Sequence, residues 1–174
     1  MAICFVRAKV IGRSGGQSAV AAAAYRSGLQ LVDDRTGDVH DYRKKQGVDY
    51  STILAPVDAI GANDWLTDRS KLWNKVESSE IRYDAQLSRE MIIAIPVELD
   101  RDAMINLIRN HVQASYVDRG MIADINLHHL EGNNPHGHVM LTMRELTIDG
   151  AGSVSFGKKN RSWNDKKLVE TQKK

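Results

Sequence analysis

The sequence of 174 residues lacks the features that mark several large protein classes. It contains one cysteine, Cys4, so an internal disulfide framework is excluded, and we interpret this residue as a buried small hydrophobe. No run of apolar residues is long enough to cross a bilayer, so we expect no membrane insertion. The first apolar stretch carries Arg7 and Lys9, which is not expected of a secretory signal peptide. These absences favour a cytoplasmic protein.

The chain also has little net charge, and a formal value of +2 does not by itself indicate a nucleic-acid partner. The distribution of charge is more informative, because basic residues cluster at 43–45, at 158–161 and at the C-terminus. The length favours one domain over residues 1–174 with room for a hydrophobic core. A helical pattern that begins near Trp163 is still unfinished at the last residue. We therefore expect this domain to be the N-terminal part of a longer protein.

Hydrophobic periodicity predicts an α+β fold, with a central antiparallel sheet and flanking helices that lie largely on one side of it. Alternating polarity over residues 2–11 predicts the first strand. Ser18 is a suitable N-cap for an alanine-rich helix that Gly28 ends, and Asp100 caps a helix that runs to Gly120. The other predicted elements are a hairpin around "RTGD", a helix over 63–78, and strands over 88–96, 121–130 and 136–144.

Four of the six histidines lie in the eleven-residue stretch "HHLEGNNPHGH", from His128 to His138. Its centre, "EGNNP", predicts a short turn between two antiparallel strands. Side chains alternate across a strand, so His136 and His138 share one face of the second strand. Val139 and Leu141 share the other face, which is apolar and belongs against the core.

The preceding strand determines which of its two adjacent histidines joins this pair. If Ile125 and Leu127 face the core, His128 lies with the other two histidines and His129 does not. This assignment assumes regular strands, since a bulge near Leu130 would reverse it. Three imidazoles on one face form an open metal site with a position left for water or substrate. Imidazole suits Zn, Mn, Fe, Co or Ni better than Mg.

Four motifs carry a resemblance that runs over nearly the whole chain. They are the opening "MAICFVRAKVIGRSGGQSAVAAAAYR", "LWNKVE" at 72–77, "SREMIIAIPVELD" at 88–100 and "NPHGHVMLT" at 134–142. Together they resemble the relaxases of the MobA/MobL family (MobQ type), which are HUH-type endonucleases that start conjugative plasmid transfer. The fold implied by the resemblance is the HUH relaxase fold.

The resemblance implies roles for particular residues. It places the third metal ligand at His128, eight positions before His136, and the catalytic tyrosine at Tyr25, on the helix after "SGGQS". It implies that Glu90 orients a ligand or handles a proton. The cation would be Mn²⁺ or Mg²⁺, although other transition metals also suit the ligands. The implied activity nicks one strand at a plasmid origin of transfer by metal-assisted transesterification. It leaves a covalent 5′-phosphotyrosine and a free 3′-OH.

The implied partners are single-stranded or hairpin origin-of-transfer DNA, relaxosome accessory proteins and a coupling protein. The glycine-rich turn before the first helix offers backbone N–H groups to a phosphate, and Arg13 and Arg26 could clamp one. The residues predicted to bind DNA are Lys9, Arg13, Arg26, Lys44, Lys45, Lys158, Lys159 and Arg161.

Other functions remain open from the sequence. A metal-dependent phosphodiester hydrolase would use activated water, and Tyr25 would then be a packed core residue of its helix. The alternative for Glu90, whatever the reaction, is a buried charge paired with an arginine. A rolling-circle replication-initiation nickase of the HUH type would share the relaxase chemistry, and a non-catalytic DNA-binding module would lack it. His111 lies on the apolar stripe of a predicted helix, and we interpret it as a core residue and not as a ligand.

Overall fold

A computed structural model of the chain describes residues 5–56, 59, 61 and 63–164. Cys4 and most of the expected C-terminal helix lie outside the described residues. The helices are α1 (Ala19–Ser27), α2 (Arg69–Ser79) and α3 (Arg101–Ser115). The strands are β1 (Val6–Gly12), β2 (Gln30–Val32), β3 (Val39–Asp41), β4 (Val48–Leu54), β5 (Gln86–Ala94), β6 (Ala123–His128), β7 (His136–Leu141), β8 (Arg144–Ile148) and β9 (Val154–Lys159).

Five of these strands form one sheet in the order β1-β5-β7-β6-β4, and every pair of neighbours is antiparallel. This confirms the predicted α+β fold with a central antiparallel sheet. The strands β2 and β3 form the hairpin predicted around "RTGD", and β8 and β9 form a second hairpin. Among the described residues, no helix is both long enough and apolar enough to cross a membrane.

Helix α1 begins and ends where the sequence predicts. The Oγ of Ser18 accepts a hydrogen bond from the N–H of Ala21, and Gly28 ends the helix with a φ of 67°. Such a left-handed φ is easily adopted by glycine. Ala23 and Ala24 are buried, and their small side chains allow α1 to lie close to the sheet. The next residue along α1, Tyr25, is exposed to solvent.

Helices cover both faces of the sheet, which corrects the expectation that they lie largely on one side. Helix α3 buries Met104, Ile108 and Val112 against the face that carries Ile125 and Leu127. Helices α1 and α2 contribute to a second core on the opposite face, which is the face that carries the histidines. The central strands therefore bury both of their faces. Alternation within one strand indicates an apolar face, but it does not show that the other face is covered as well.

Two parts of the fold were not predicted. Strand β4 forms an edge of the sheet within a segment that the sequence predicted to be polar and irregular, and the β8–β9 hairpin lies in the expected basic tail. The apolar residues of β4 are Val48, Tyr50, Ile53 and Leu54, so the alternation breaks within the strand and its periodicity is weak. Some element bounds also differ from the predicted ones. Helix α3 was predicted to run to Gly120, but it ends at Ser115. The helix predicted over 63–78 is a 3-10 turn followed by α2, which Asp68 caps.

His111 lies on α3, half-buried, with its ring edge-on to Tyr116. Its Nε2 is buried without a hydrogen-bond partner among the described residues, and burial lowers its pKa below the ordinary 6.5. The folded-state pKa therefore lies below the unfolded one, and stability is lost as the pH falls below the unfolded value. We expect urea unfolding of His111→Leu to depend less on pH than the wild type between about pH 7 and pH 5. Equal pH dependence would contradict this.

Candidate active site

Three histidines meet at one end of the central strand pair β6–β7. His128 lies directly opposite His136, and His138 lies two residues further along β7 on the same face. The candidate ligand nitrogens of the three rings all lie within 4.8 Å of one another. The ring centroids are 5.0 to 5.4 Å apart. The predicted grouping of His128 with His136 and His138 on one face of the sheet is therefore confirmed. The three imidazoles could hold one cation.

His129 does not belong to this group, although its ring centroid lies 5.8 Å from that of His136. Strand β6 ends at His128, and His129 has a φ of 56°, so the chain turns out of the strand here. The His129 side chain is exposed, and its ring lies against Gly47 so closely that a Cβ there would come within 2.4 Å of the ring. The bulge that would have exchanged the two histidines does not occur, because β6 and β7 pair residue by residue.

Backbone carbonyl groups orient two of the imidazoles. The Nδ1 of His136 lies 2.8 Å from the carbonyl oxygen of Asn134, and the Nε2 of His128 lies 2.7 Å from that of Arg26. A carbonyl oxygen only accepts hydrogen bonds, so each of these nitrogens carries the proton in the neutral ring. The lone pair is then on Nε2 of His136 and on Nδ1 of His128, and these are the atoms available to a cation.

The third imidazole is oriented by Glu90, a fully buried residue of β5. The Nδ1 of His138 donates to Glu90 Oε1 at 2.7 Å, and the Arg26 guanidinium donates to both carboxylate oxygens. Lys9 Nζ lies 3.2 Å from Oε2. Burial raises the pKa of Glu90, but the hydrogen bonds from Arg26 and His138 outweigh it and hold the pKa below its usual range. Glu90 is thus an ionised acceptor paired with an arginine, and it also orients an imidazole.

We expect Glu90→Gln to weaken Mn²⁺ binding by about 10–100-fold, the usual effect of removing a group that orients a ligand. Isothermal titration calorimetry with Mn²⁺ measures this. Glu80→Gln is the matched control, because Glu80 is also a buried glutamate that pairs with an arginine, Arg144. The control should bind Mn²⁺ like the wild type. Unchanged affinity in Glu90→Gln would show that the carboxylate does not orient His138.

Burial favours the neutral form of two of the site's histidines, His128 and His136. It lowers the pKa of His128 to about 4 and also lowers the pKa of His136. The positive charge of Lys45 acts in the same direction on both rings. Neutral imidazole is the form that binds a metal ion, so at pH 7 these two side chains need not lose a proton to become ligands. The donor set therefore fits a divalent cation.

Tyr25 lies near the C-terminal end of α1. The residue is 50% exposed, so it is not a packed core residue of its helix. Its ring packs edge-on against that of Tyr42 with centroids 5.1 Å apart, and Lys45 Nζ lies 3.8 Å from the Tyr25 ring centroid. The next residue, Arg26, contacts His128 through its carbonyl oxygen. Tyr25 is therefore one residue away from a direct contact with the histidine site.

The structure divides the basic residues predicted to bind DNA into two groups. Five make close contacts within the protein: Arg13 with Glu77, Arg26 and Lys9 with Glu90, Lys45 with the carbonyl oxygen of Tyr25, and Lys159 with Glu80 and the carbonyl oxygen of Gln86. These contacts give all five a structural role. The remaining three are exposed: Lys44, Lys158 and Arg161. A DNA role for any of the eight stays a prediction.

A buried polar network that was not predicted adjoins the histidines. Asn126 lies opposite His138 in the β6–β7 pairing, and its side-chain amide donates to Asp124 at 3.0 Å. Arg69 and Trp73 of α2 also donate to Asp124, at 2.8 Å. The parity of "DINLH" indicates which face Asp124 and Asn126 occupy, but their partners come from another element. This network attaches α2 to the strand that carries the first histidine of the site.

Comparison with known proteins gives matches over most of the chain. Residues 17–174 match the profile of the MobA/MobL family. The chain is 39% identical over 163 residues to "Probable conjugal transfer protein TraA" of Sinorhizobium fredii, covering 88% of this chain and 14% of that protein. It is 41% identical over 128 residues to "Mobilization protein MobL" of Acidithiobacillus ferridurans, covering 74% of this chain and 32% of that protein. The chain thus spans a minor part of the length of these relatives.

The fold also matches a solved structure described as "Molecular Basis of Vancomycin Resistance Transfer in Staphylococcus aureus". The TM-score is 0.84 and the sequence identity is 33%, over 98% of this chain and 86% of that chain. The similarity therefore includes the central sheet and the helices on both of its faces.

Proposed function

The chain belongs to the MobA/MobL family, and on that premise we propose that it is a relaxase domain, a nicking endonuclease that starts conjugative transfer. Its substrate would be one DNA strand at a plasmid origin of transfer. The observation that carries this proposal is an exposed tyrosine, Tyr25, one residue from a backbone contact to a three-histidine site. The names of the relatives, which refer to conjugal transfer and mobilization, support the same process.

The proposed reaction is a transesterification at phosphorus. The Tyr25 oxygen loses its proton and forms a bond to phosphorus, the bond from phosphorus to the 3′ oxygen breaks, and that oxygen leaves and takes up a proton. One phosphodiester replaces another, so the strand can later be rejoined. A divalent cation held by the histidines would draw negative charge from the non-bridging oxygens. Mn²⁺ or Mg²⁺ is proposed, and the imidazole donors favour Mn²⁺.

The protein's own residues prepare this reaction. The three imidazoles are neutral ligands, so they leave the charge of a bound cation undiminished for the phosphate. Glu90 fixes His138, and the carbonyl oxygen of Arg26 fixes His128. The exposed lysines Lys9, Lys44 and Lys158 and the exposed Arg161 are proposed to contact the DNA backbone. Relaxosome accessory proteins, a coupling protein and a cytoplasmic location are part of the same proposal.

The direct test is a denaturing gel. The protein would be incubated with Mn²⁺ and overlapping single-stranded oligonucleotides from the DNA that flanks its gene. We expect one oligonucleotide to give a covalent protein–DNA adduct and a shorter fragment with a free 3′-OH, and neither product should form in excess EDTA. Two free DNA fragments without an adduct would indicate a hydrolase. Tight binding without cleavage would indicate a DNA-binding module.

A further inference from the structure

Lys45 differs sharply from its neighbour Lys44, although the sequence predicts the same DNA-binding role for both. Lys44 is exposed, whereas Lys45 is partly buried. The Lys45 ammonium donates to the backbone carbonyl oxygen of Tyr25 at 2.8 Å and lies 3.8 Å from the ring centroid of the same residue. One side chain thus contacts both the backbone and the ring of the proposed nucleophile.

The turn that carries Lys45 is itself attached to the end of α1. The N–H of Tyr42 donates to the carbonyl oxygen of Leu29 at 3.1 Å, and the N–H of Lys45 donates to that of Tyr42 at 2.9 Å. The Tyr42 ring packs edge-on against Tyr25. The residues that contact the half-exposed Tyr25 ring therefore come from one short turn, and that turn is hydrogen-bonded to the residue that follows the C-cap of the helix carrying the tyrosine.

Lys45 is connected both to the ring and to the metal site. A cation over an aromatic face is attracted by the ring quadrupole, and the attraction is stronger where water is partly excluded. Lys45 is partly buried, so water is partly excluded here. Lys45 donates to the carbonyl oxygen of Tyr25, and the carbonyl oxygen of the next residue, Arg26, contacts His128. Lys45 thus adjoins both parts of the site.

We propose that Lys45 is a positioning residue, whose ammonium holds the Tyr25 ring in the orientation from which its hydroxyl oxygen attacks phosphorus. This inference rests on the proposed relaxase function. In-line attack needs the reacting atoms about 3–3.5 Å apart and aligned, and a displacement of about 1 Å can cost about 100-fold in rate. A half-exposed ring without the ammonium has more freedom to rotate, so it is aligned for a smaller part of the time.

The first measurement separates positioning from DNA binding. We expect Lys45→Gln to lower the single-turnover nicking rate constant at saturating DNA by about 10–100-fold, with the Kd for DNA close to that of the wild type. Lys45→Arg keeps a cation over the ring and should recover most of the rate. Lys44→Gln should weaken DNA binding and reduce its salt dependence. If Lys45→Gln changes only the Kd, as expected for Lys44→Gln, the proposal is overturned.

Lys75→Gln is the control for removing a lysine that lies over an aromatic ring. Lys75 Nζ lies 4.8 Å from the ring centroid of Trp65, outside the proposed site. This variant should nick DNA at the wild-type rate, so a loss in Lys45→Gln is not a general result of removing a cation from an aromatic ring. A parallel loss of rate in Lys75→Gln would overturn the positioning argument.

The second measurement does not depend on activity. In protein with ¹³C-labelled tyrosine rings, the Tyr25 signal is the one of five that disappears in Tyr25→Phe. We expect Lys45→Gln to shift this signal and Lys75→Gln to leave it in place. An unmoved signal overturns the contact, and a moved signal with an unchanged nicking rate overturns the positioning role. If the wild type forms no adduct at all, the relaxase function itself fails, and the Tyr25 signal then shows only a structural contact.

Discussion

Tyr25→Phe should abolish the covalent protein–DNA adduct and lower the nicking rate by more than about 1,000-fold. The substitution removes one oxygen atom and keeps the ring that packs against Tyr42 and Lys45. The fold and the metal site should therefore be unaffected. Calorimetry should show unchanged Mn²⁺ affinity, and a denaturing gel should show no adduct.

The matched control for this result is Tyr83→Phe, which also removes an exposed phenol oxygen. Tyr83 is 82% exposed and precedes β5, whereas the histidines lie at the other end of that strand, where Ala94 pairs with His136. This variant should form the adduct at the wild-type rate. If Tyr25→Phe still cuts DNA, the nucleophile is not this tyrosine, and water activated by the cation becomes the better explanation.

His128→Ala should weaken Mn²⁺ binding by more than about 100-fold, because removal of a ligand should exceed the effect of removing a group that only orients one. His128 is buried, and its imidazole lies within the group of three that can hold one cation. Cleavage at a fixed low Mn²⁺ concentration should be lost together with the affinity. Calorimetry and the gel assay measure the two effects independently.

The neighbouring histidine provides the control. His129→Asn suits this position better than alanine, because asparagine tolerates the left-handed backbone at φ 56°. We expect nearly wild-type Mn²⁺ affinity and cleavage from this variant, since the His129 ring is exposed and lies against Gly47. Equal losses in the two variants would contradict the assignment of the ligands. Urea unfolding of both variants would show that each remains folded.

Much of the candidate site could be predicted because it depends on local rules. Alternation along β6 and β7 is enough to separate His128 from His129, and the structure shows the regular pairing that the argument assumed. Ser18 and Gly28 define α1 by capping and by a left-handed backbone, both of which depend on only a few neighbouring residues. The resemblance to a family then pointed to Tyr25. Its exposure in the structure agrees with that assignment, although its role as the nucleophile stays a proposal.

The parts that could not be predicted depend on which distant elements meet. Burial of both sheet faces follows from the packing of helices that the structure describes, α1 and α2 on one face and α3 on the other. A strand's own alternation does not show whether its second face is also covered. Strand β4 is recognisable as a strand only through its pairing with β6, because its own side chains are mostly polar or partly exposed. The apolar residues of β4 do not alternate along the whole strand, so its local signal is weak, whereas β1, the other edge strand, alternates and was predicted.

The sequence by itself determined the chemical groups, the faces they occupy and the ends of the first helix, because these follow from alternation and capping over a few residues. Only the tertiary structure decided the partners. Arg26 and Glu90 are 64 positions apart, and Lys45 and Tyr25 are 20 apart. A chain with 24 lysines and arginines offers many cations for each site. Packing selects among them, because it decides which cations lose water and come within contact distance of a carboxylate or a ring.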